Sequence, residues 1–456
     1  MADVIAAAAT ANALSAISII RLSGDGAIDI ADSVFRPKNG GKMADAPDRK
    51  LVYGELSDAG GSVIDICMCT VSRAPHSYTG EDTAELQCHG SPTVVVEALS
   101  ALFAAGARQA AAGEFTKRAF LNGKMDLTQA EAVIDLIESE TALSAKNAAG
   151  QLGRAVSRKT DAVYDSVVDI MSHYHAVIDY PDEDIPEFEL RQYIGVFEDA
   201  ERTLAELLKT FERGRIMKDG VKAAIIGRPN TGKSSLLNAL LGYDRAIVTD
   251  VAGTTRDTIE ERVKLKNTVL RLSDTAGIRE TGDVVEKIGV ERALEASREA
   301  ELVIAVVDGS KKLCGEDIKV LETALSAPYS IAVINKTDLP AAVARGDVEK
   351  IVKNAVEISA KTGEGIDALC DAIDDMFSSA LQTPAGEILT NARQADAVSR
   401  ALDGIRAARE AMELGVTPDA VLTEAEAAVS ALGELTGKTV REDVTARIFE
   451  RFCVGK

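Results

Sequence analysis

The segment Gly227-Arg228-Pro229-Asn230-Thr231-Gly232-Lys233-Ser234 fits the pattern Gly-x-x-x-x-Gly-Lys-Ser, and it limits what this chain can fold into more than any other stretch. It follows an apolar run at 223–226 and precedes an apolar helical pattern that opens at Ser235. Strand, loop and helix in that order are the context in which such a loop wraps phosphates. The glycines let backbone N–H groups close round the anion, and the helix N-terminus adds a favourable field. In that arrangement Lys233 is expected to reach the β- and γ-phosphates, and the Ser234 hydroxyl to ligand Mg2+.

Three further segments follow in order. Asp274-Thr275-Ala276-Gly277 closes an apolar strand pattern about 40 residues on, where an Asp faces the metal and a Gly the γ-phosphate. Asn335-Lys336-Thr337-Asp338 closes another strand pattern, and the Asp338 carboxylate can accept hydrogen bonds from both guanine N1–H and the exocyclic amine. Ser359-Ala360-Lys361 completes the base pocket. Order and spacing are those of the Ras-like GTPases, so GTP or GDP is the expected ligand. Thr249-Asp250-Val251-Ala252-Gly253-Thr254-Thr255 lies where the first switch belongs and joins the nucleotide-binding set, with Thr255 the candidate second Mg2+ ligand. Ras-type enzymes orient the attacking water with a Gln just after the Asp-x-x-Gly segment. Here that residue is Ile278, which cannot do so, and the nearby carboxylates are Glu280, Asp283 and Glu286. Either hydrolysis is slow or one of these supplies the polar group.

Length and texture predict a multidomain chain. At 456 residues, roughly three domains are expected. The first ~120 residues predict an α+β domain, with strands at 17–22 and 63–71 and a helix at 92–105. Helical spacing runs from about 127 to about 215. Strand–loop–helix alternation between 222 and about 377, with strands at 221–226, 269–273, 302–307 and 331–334, predicts a parallel sheet covered on both faces. After a break at Pro384-Ala385-Gly386 the helical texture returns. Two readings fit: an α/β domain inserted into one helical domain, or two independent helical domains.

Composition excludes other classes. A formal net charge of −21 argues against broad, non-specific adhesion to nucleic acid or an anionic membrane. No signal-peptide pattern and no run of about 20 apolar residues is present, so a cytoplasmic protein without membrane attachment is expected. Six cysteines at 67, 69, 88, 314, 370 and 453 form no secreted-type framework. Cys67 and Cys69 alternate with Ile64, Ile66 and Val71, so core packing is expected, since a lone Cys-x-Cys makes a poor zinc site. His173 and His175, two apart in a helical stretch, do not share a face. The acidic stretch 179–189 lacks an EF-hand glycine and is expected to be a solvated loop. Arg108, Lys117 and Arg118 are expected to form a solvated basic face rather than an RNA contact.

Segments outside the α/β part carry a resemblance. They are Ser77-Tyr78-Thr79-Gly80-Glu81-Asp82-Thr83-Ala84-Glu85, the run 113–127 beginning Gly113-Glu114-Phe115-Thr116, and the end Phe452-Cys453-Val454-Gly455-Lys456. With the P-loop they resemble the MnmE (TrmE) family of tRNA-modification GTPases, within the TrmE-Era-EngA-like branch of Ras-type GTPases, over essentially the whole chain. The resemblance implies an N-terminal α+β domain at 1–120 that binds tetrahydrofolate and dimerises. It implies a helical domain at 121–217 plus 379–456, split by an inserted Ras-like G domain at 218–378.

It also implies GTP hydrolysis coupled to tRNA. With MnmG, a flavin- and NADH-using partner, the homodimer would form a heterotetramer or larger complex. That complex would install an aminomethyl or carboxymethylaminomethyl group on C5 of the wobble uridine. The one-carbon unit would come from 5-formyl- or 5,10-methylene-tetrahydrofolate. By motif position, K+ would be held by Asn230, Thr249, Thr254 and the Val251 carbonyl. The catalytic carboxylate falls on Glu286. The folate residues fall on Arg21, Glu81, Lys124 and Lys456, with the Cys453 thiol as a catalytic group near them. Two departures stand out: residues 11–18 lack the family's usual Pro and Gly, and Val454 replaces Ile. The small side chains at 13–18 are expected to keep ordinary backbone angles. A ribosome-associated GTPase switch is the alternative function, and the acidic charge and folate-like segments disfavour it.

Overall fold

The computed structural model describes residues 3–179, 190–243, 261–272, 298–377 and 384–439, with Phe449, Phe452, Val454 and Gly455. The chain forms two compact units, one of Met1–Ile134, Ser157–Glu187 and Leu414–Lys456, the other of Asp135–Val156 and Phe188–Glu413.

The first unit holds strands β1 (Ile5–Ala8), β2 (Ser15–Ser23), β3 (Phe35–Pro37), β4 (Val52–Ser57), β5 (Val63–Ser72), β6 (Thr83–Gly90) and β7 (Arg108–Gln109). Among the described residues they form one sheet in the order β3-β4-β5-β6-β2-β1-β7. Alternation along each strand sends one set of side chains inward. Cys67, Cys69 and Val71 of β5 join Ala84, Leu86 and Cys88 of β6 and Ile20 and Leu22 of β2. They pack against Ala27, Ile28 and Ala31 of the helix Ala27–Val34 and Val95, Ala98 and Leu102 of the helix Pro92–Ala104. The expected strands at 17–22 and 63–71 and the helix at 92–105 are therefore present, as is the core packing of Cys67 and Cys69. On the other face Ile17, Tyr53 and Ile66 stay exposed.

The second unit holds β8 (Val221–Gly227), β9 (Glu261–Lys264), β10 (Val269–Leu272), β11 (Leu302–Asp308), β12 (Tyr329–Asn335) and β13 (Ala355–Glu357), in the order β13-β12-β11-β8-β10-β9. All neighbours are parallel except β9 with β10. Every residue of β11 is buried, as expected for a central parallel strand covered on both faces. Alternate residues of β8 serve the two faces. Val221, Ala223 and Ile225 pack with Leu236, Leu240, Leu369 and Ile373. Ala224 and Ile226 pack with Leu321, Ala324 and Val348.

Helical residues from before and after this sheet in sequence pack together. The helix Ala392–Glu413 lies along Leu190–Lys209, where Arg406 Nε meets Glu201 Oε1 at 2.8 Å. The chain leaving the sheet is seated on the helix Ala142–Leu152. The Asn147 amide accepts from Gly386 N–H at 2.9 Å and donates to Ile388 O at 3.1 Å. Leu389 N–H donates to Thr210 Oγ1 at 3.0 Å. Backbones touch here: a Cβ on Gly150 would stand 2.7 Å from Ala385 O.

Gly214 gives the sharpest test of this seat. It lies inside the helix Phe211–Asp219, where a Cβ would come 1.8 Å from Leu389 O. Gly→Ala in a helix interior ordinarily stabilises by about 1 kcal/mol. Gly214→Ala is expected to destabilise by about 1–3 kcal/mol instead, because the overlap is with backbone. Gly195 in the helix Leu190–Lys209 has nothing within 4 Å of its Cβ position, so Gly195→Ala is expected to stabilise. Urea midpoints of the two variants should move in opposite directions.

Candidate functional site

In the second unit, Gly227 ends β8 and the helix Lys233–Tyr243 begins after a tight loop. A Cβ on Gly232 (φ 98°) would stand 2.1 Å from Asn335 Nδ2, and one on Gly227 would stand 2.6 Å from Val306 O. Both positions therefore require glycine. Asn230 adopts a φ of 65°, which Asn tolerates better than most residues. Lys233 Nζ donates to the carbonyls of Gly227 and Arg228, both at 2.9 Å, so the ammonium lies over its own loop. Ser234 and Ser235 occupy the first turn of the helix.

The base-loop residues converge on the same loop. Asn335 is buried, and its Nδ2 donates to Thr231 O at 2.8 Å. Its Oδ1 accepts from the N–H of Lys336 at 2.8 Å and of Ala360 at 3.0 Å. Lys336 Nζ donates to Asn230 O and to Asp308 Oδ2, each at 2.7 Å. Ser359 Oγ donates to Asp338 Oδ1 at 2.8 Å. The structure thus brings Asn230, Thr231, Gly232, Asn335, Lys336, Asp338, Ser359 and Ala360 together, and Lys361 follows in the same loop. Thr249, Asp250, Val251, Ala252, Gly253, Thr254 and Thr255 lie outside the described residues. So do Asp274, Thr275, Ala276, Gly277, Ile278 and Glu286.

Asp308 and Arg228 were missed from sequence. Asp308 is the polar end of the apolar strand β11 and stands opposite Asn335. Burial pushes its carboxyl up, but hydrogen bonds from Lys336 and from the side chain and N–H of Ser310 outweigh this and hold it below the usual range. A carboxylate directly after an apolar strand was the available signal. Arg228 binds the helix Gly315–Ala324 at its start, with Nε 2.8 Å from Glu316 and Nη1 3.2 Å from Asp317.

In the first unit, three of the four expected folate residues meet around the loop between β5 and β6. Arg21 pairs with Glu85 across the strands at 2.8 Å, and its guanidinium lies 5.3 Å from the Tyr78 ring centre and 5.8 Å from that of Phe115. Glu81 Oε2 accepts from Ser23 Oγ at 2.8 Å and Arg118 Nη1 at 3.0 Å. Lys124 Nζ donates to Pro75 O at 2.7 Å, and its stem lies 3.2 Å from the Cβ position of Gly80. The chain's end approaches the same strands. Val454 bridges Ala112, and a Cβ on Gly455 (φ 103°) would stand 2.0 Å from Ala8 O. Ala7, next to Ala8, is the cross-strand partner of Arg21. Cys453 and Lys456 lie outside the described residues. Among described residues the non-glycine positions with positive φ are Arg49, Arg154, Asn230 and Lys336, so the Gly-poor stretch 11–18 keeps ordinary angles as expected.

The solvated basic face expected at Arg108, Lys117 and Arg118 holds for Arg108, whose side chain is 47% exposed, but not for Arg118. The Arg118 side chain is only 13% exposed and binds Asp3, Glu81 and Glu114. Arg108 binds Asp3 and Glu114. Asp3 and Glu81 come from distant parts of the chain, so local sequence could not reveal them, whereas Glu114 lies one helical turn from Arg118. Burial pushes the Glu114 carboxyl up, but hydrogen bonds from Arg108, the Ala111 N–H and Arg118 bring it to about 2, against an ordinary 4.5. Its folded pKa is depressed, so this stability is complete above 4.5 and is lost as pH falls toward about 2. Thermal melts of wild type and Glu114→Gln are expected to converge across that window. A gap that stays constant there would show that the carboxylate's charge adds nothing.

Comparison with known proteins agrees with this architecture. The family profile described as "GTP-binding protein TrmE N-terminus" matches residues 4–124, and that described as "MnmE helical domain" matches 127–453. A protein of Clostridioides difficile named "tRNA modification GTPase MnmE" is 41% identical over 100% of this chain and 99% of its own. Its namesake in Alkaliphilus metalliredigens is 40% identical over the same shares. The solved G domain of the T. maritima FeoB iron transporter is 27% identical over 35% of this chain and 99% of its own, with a TM-score of 0.25. With both profiles and full-length relatives matched, this chain belongs to the MnmE family of tRNA-modification GTPases.

Proposed function

We propose that this chain hydrolyses GTP in a K+-stimulated cycle and, with MnmG, installs an aminomethyl or carboxymethylaminomethyl group at C5 of the tRNA wobble uridine. The observation that carries this reading is the coexistence of two sites in separate units. One is the loop network centred on Asn335, the other the Arg21–Tyr78–Glu81–Lys124 cluster beside the chain's end. A GTPase switch alone has no use for the second.

At the first site Gly227 and Gly232 let the loop close tightly against Val306 and Asn335, the kind of turn whose backbone N–H groups wrap phosphates. Lys233 supplies positive charge to the β- and γ-phosphates. Asp338, held on one oxygen by Ser359, keeps acceptor capacity for guanine N1–H and the exocyclic amine. Ser234 and Thr255 would hold Mg2+, and Asn230, Thr249, Thr254 and the Val251 carbonyl would hold K+. When bound, these cations neutralise charge that develops on the phosphates. Glu286 orients the attacking water in place of a glutamine.

At the second site the exposed ring of Tyr78 presents flat apolar surface beside Arg21, which suits a pterin, with the buried Phe115 behind it. Glu81 offers an acceptor edge to the pterin N–H groups. Lys124 and Lys456 offer cations to the glutamate tail, and Arg21 lies beside the flat part of the ligand. The folate, 5-formyl- or 5,10-methylene-tetrahydrofolate, supplies the one-carbon unit, with the Cys453 thiol acting near it. Residues 1–120, 121–217 plus 379–456, and 218–378 form the folate, helical and G domains. The seat of residues 384–390 on the helix Ala142–Leu152 supports insertion of the G domain. The exposed Ile17, Tyr53 and Ile66 on one face of the N-terminal sheet support homodimerisation there. Among the described residues no helix is long and apolar enough to cross a membrane.

The decisive experiment is nucleoside analysis of tRNA from a deletion strain carrying variants of this gene. Deletion is expected to remove the C5 modification. Arg21→Ala and Cys453→Ser should fail to restore it while leaving GTP turnover nearly normal, and unmodified turnover with full restoration by both would reject the folate reading. In vitro, hydrolysis is expected to be faster in K+ than in Na+, with Asn230→Ala erasing the difference. Asp338→Asn should lose about 1.5–3 kcal/mol of GTP affinity and gain xanthosine triphosphate, and unchanged GTP affinity would reject its role.

A further inference from the structure

The first unit contains a second cluster of ligating side chains, away from the Arg21 loop. β5 and β6 run antiparallel with Met68 opposite Gln87. One step along, Cys67 faces Cys88, and their sulfurs are 4.0 Å apart. Asp65 lies two residues before Cys67, on the same face of β5. One of its carboxylate oxygens and the two sulfurs all lie within 4.8 Å of one another. Both thiols are buried, and the Asp65 side chain is only 10% exposed.

We propose that Cys67, Cys88 and Asp65 form a binding site for a thiophilic divalent cation, best matched by Zn2+. In a tetrahedral zinc site with Zn–S bonds of about 2.3 Å, two sulfurs stand about 3.8 Å apart. The pair therefore needs almost no movement to take up the ion. Asp65 is held for the task by its surroundings. Its Oδ2 accepts from His89 N–H at 2.8 Å, and its Oδ1 meets His89 Nδ1 at 2.8 Å and Ile66 N–H at 2.7 Å. Such outer hydrogen bonds fix a ligating carboxylate and are worth about 10–100-fold in affinity. Three protein ligands leave the fourth tetrahedral position for water, on the side of the partly exposed Asp65.

The hydrogen bond with Cys88 and burial both hold the Cys67 thiol protonated when no cation is present. Binding replaces the two S–H protons with one Zn2+, releasing two protons to solvent and changing no oxidation state. In sequence Cys67 and Cys69, which alternate along one strand, read as core packing and as a poor zinc pair. The partner of Cys67 is instead its cross-strand neighbour. The ion would tie β5 to β6, the two strands that carry the loop with Tyr78 and Glu81 between them. The inference is independent of the folate reading.

The test uses the full-length protein, stripped of metal and saturated with Mg2+ and GDP. Titration with Co2+ is expected to give a thiolate-to-cobalt charge-transfer band with tetrahedral d–d absorption at one equivalent, displaced by Zn2+. The Cys67→Ala/Cys88→Ala double variant should lose the band, Cys69→Ala, Cys314→Ala and Cys453→Ala should keep it, and Asp65→Asn should bind at least about tenfold more weakly. Zinc X-ray absorption on the wild-type protein needs no substitution and is expected to report two sulfur neighbours with oxygen ligands. A sulfur-free or one-sulfur shell in the wild type, or a band that survives in a folded double variant, would overturn the proposal.

Discussion

The nucleotide face depends on one buried side-chain amide. Asn335 donates to the phosphate loop at Thr231 and accepts from its own loop at Lys336 and from the third loop at Ala360. Leaving any of these buried groups unpaired costs about 1–3 kcal/mol, and the amide has one rigid geometry in which to serve all three. The loops are thus tied to one another by polar satisfaction. Lys336 adds a second tie through Asn230 O and Asp308, and it accepts a φ of 70° to do so. A non-glycine residue in that region costs free energy that the two hydrogen bonds must offset.

A different constraint governs how the α/β segment joins the helices around it. Gly150, Gly214 and Gly386 each sit where a Cβ would overlap backbone atoms. Main chain lies on main chain there, and the polar groups exposed by that approach need partners. Asn147, Gln151 and Thr210 provide them for Gly386, Ile388 and Leu389. A seat of this kind positions the returning chain without a thick apolar interface. Small residues and short amides achieve what larger side chains would prevent.

The same facts explain what sequence could and could not tell. The phosphate loop and β11 were legible because a glycine-lined turn and an unbroken apolar run over 302–307 each permit few backbones. The strands β1, β3, β7, β9 and β13, of two to four residues, carry too little alternation to stand out, and the longer β4 and β6 were also not read. Pro384-Ala385-Gly386 read as a break in the helical texture, which it is, but its packing against Gly150 was not legible. Asp308 was lost at the polar end of its own apolar run. Arg118 was misjudged, and the pairing of Cys67 with Cys88 was missed, because partners such as Asp3 and Cys88 are set by tertiary folding and register. Asp3 lies 115 positions from Arg118, and Cys67 lies 21 from Cys88. Spacing rules along the chain detect neighbours within a turn or a strand and are blind to both.

Charge accounting in the Arg21 cluster separates its cations by role. Arg21 is matched by Glu85, and Arg108 and Arg118 are shared among Asp3, Glu81 and Glu114. An anionic ligand approaching these guanidiniums meets charge that carboxylates already neutralise. Lys124 differs, because its hydrogen bond goes to the neutral carbonyl of Pro75. A charge engaged only by a carbonyl keeps most of its attraction for an anion. In the proposed folate site Lys124 therefore suits the anionic tail. Arg21, lying over the rings of Tyr78 and Phe115, suits the flat part of the ligand. Arg118 acts through Glu81: it holds the acceptor edge in one orientation, so that a pterin would meet a carboxylate already fixed in place.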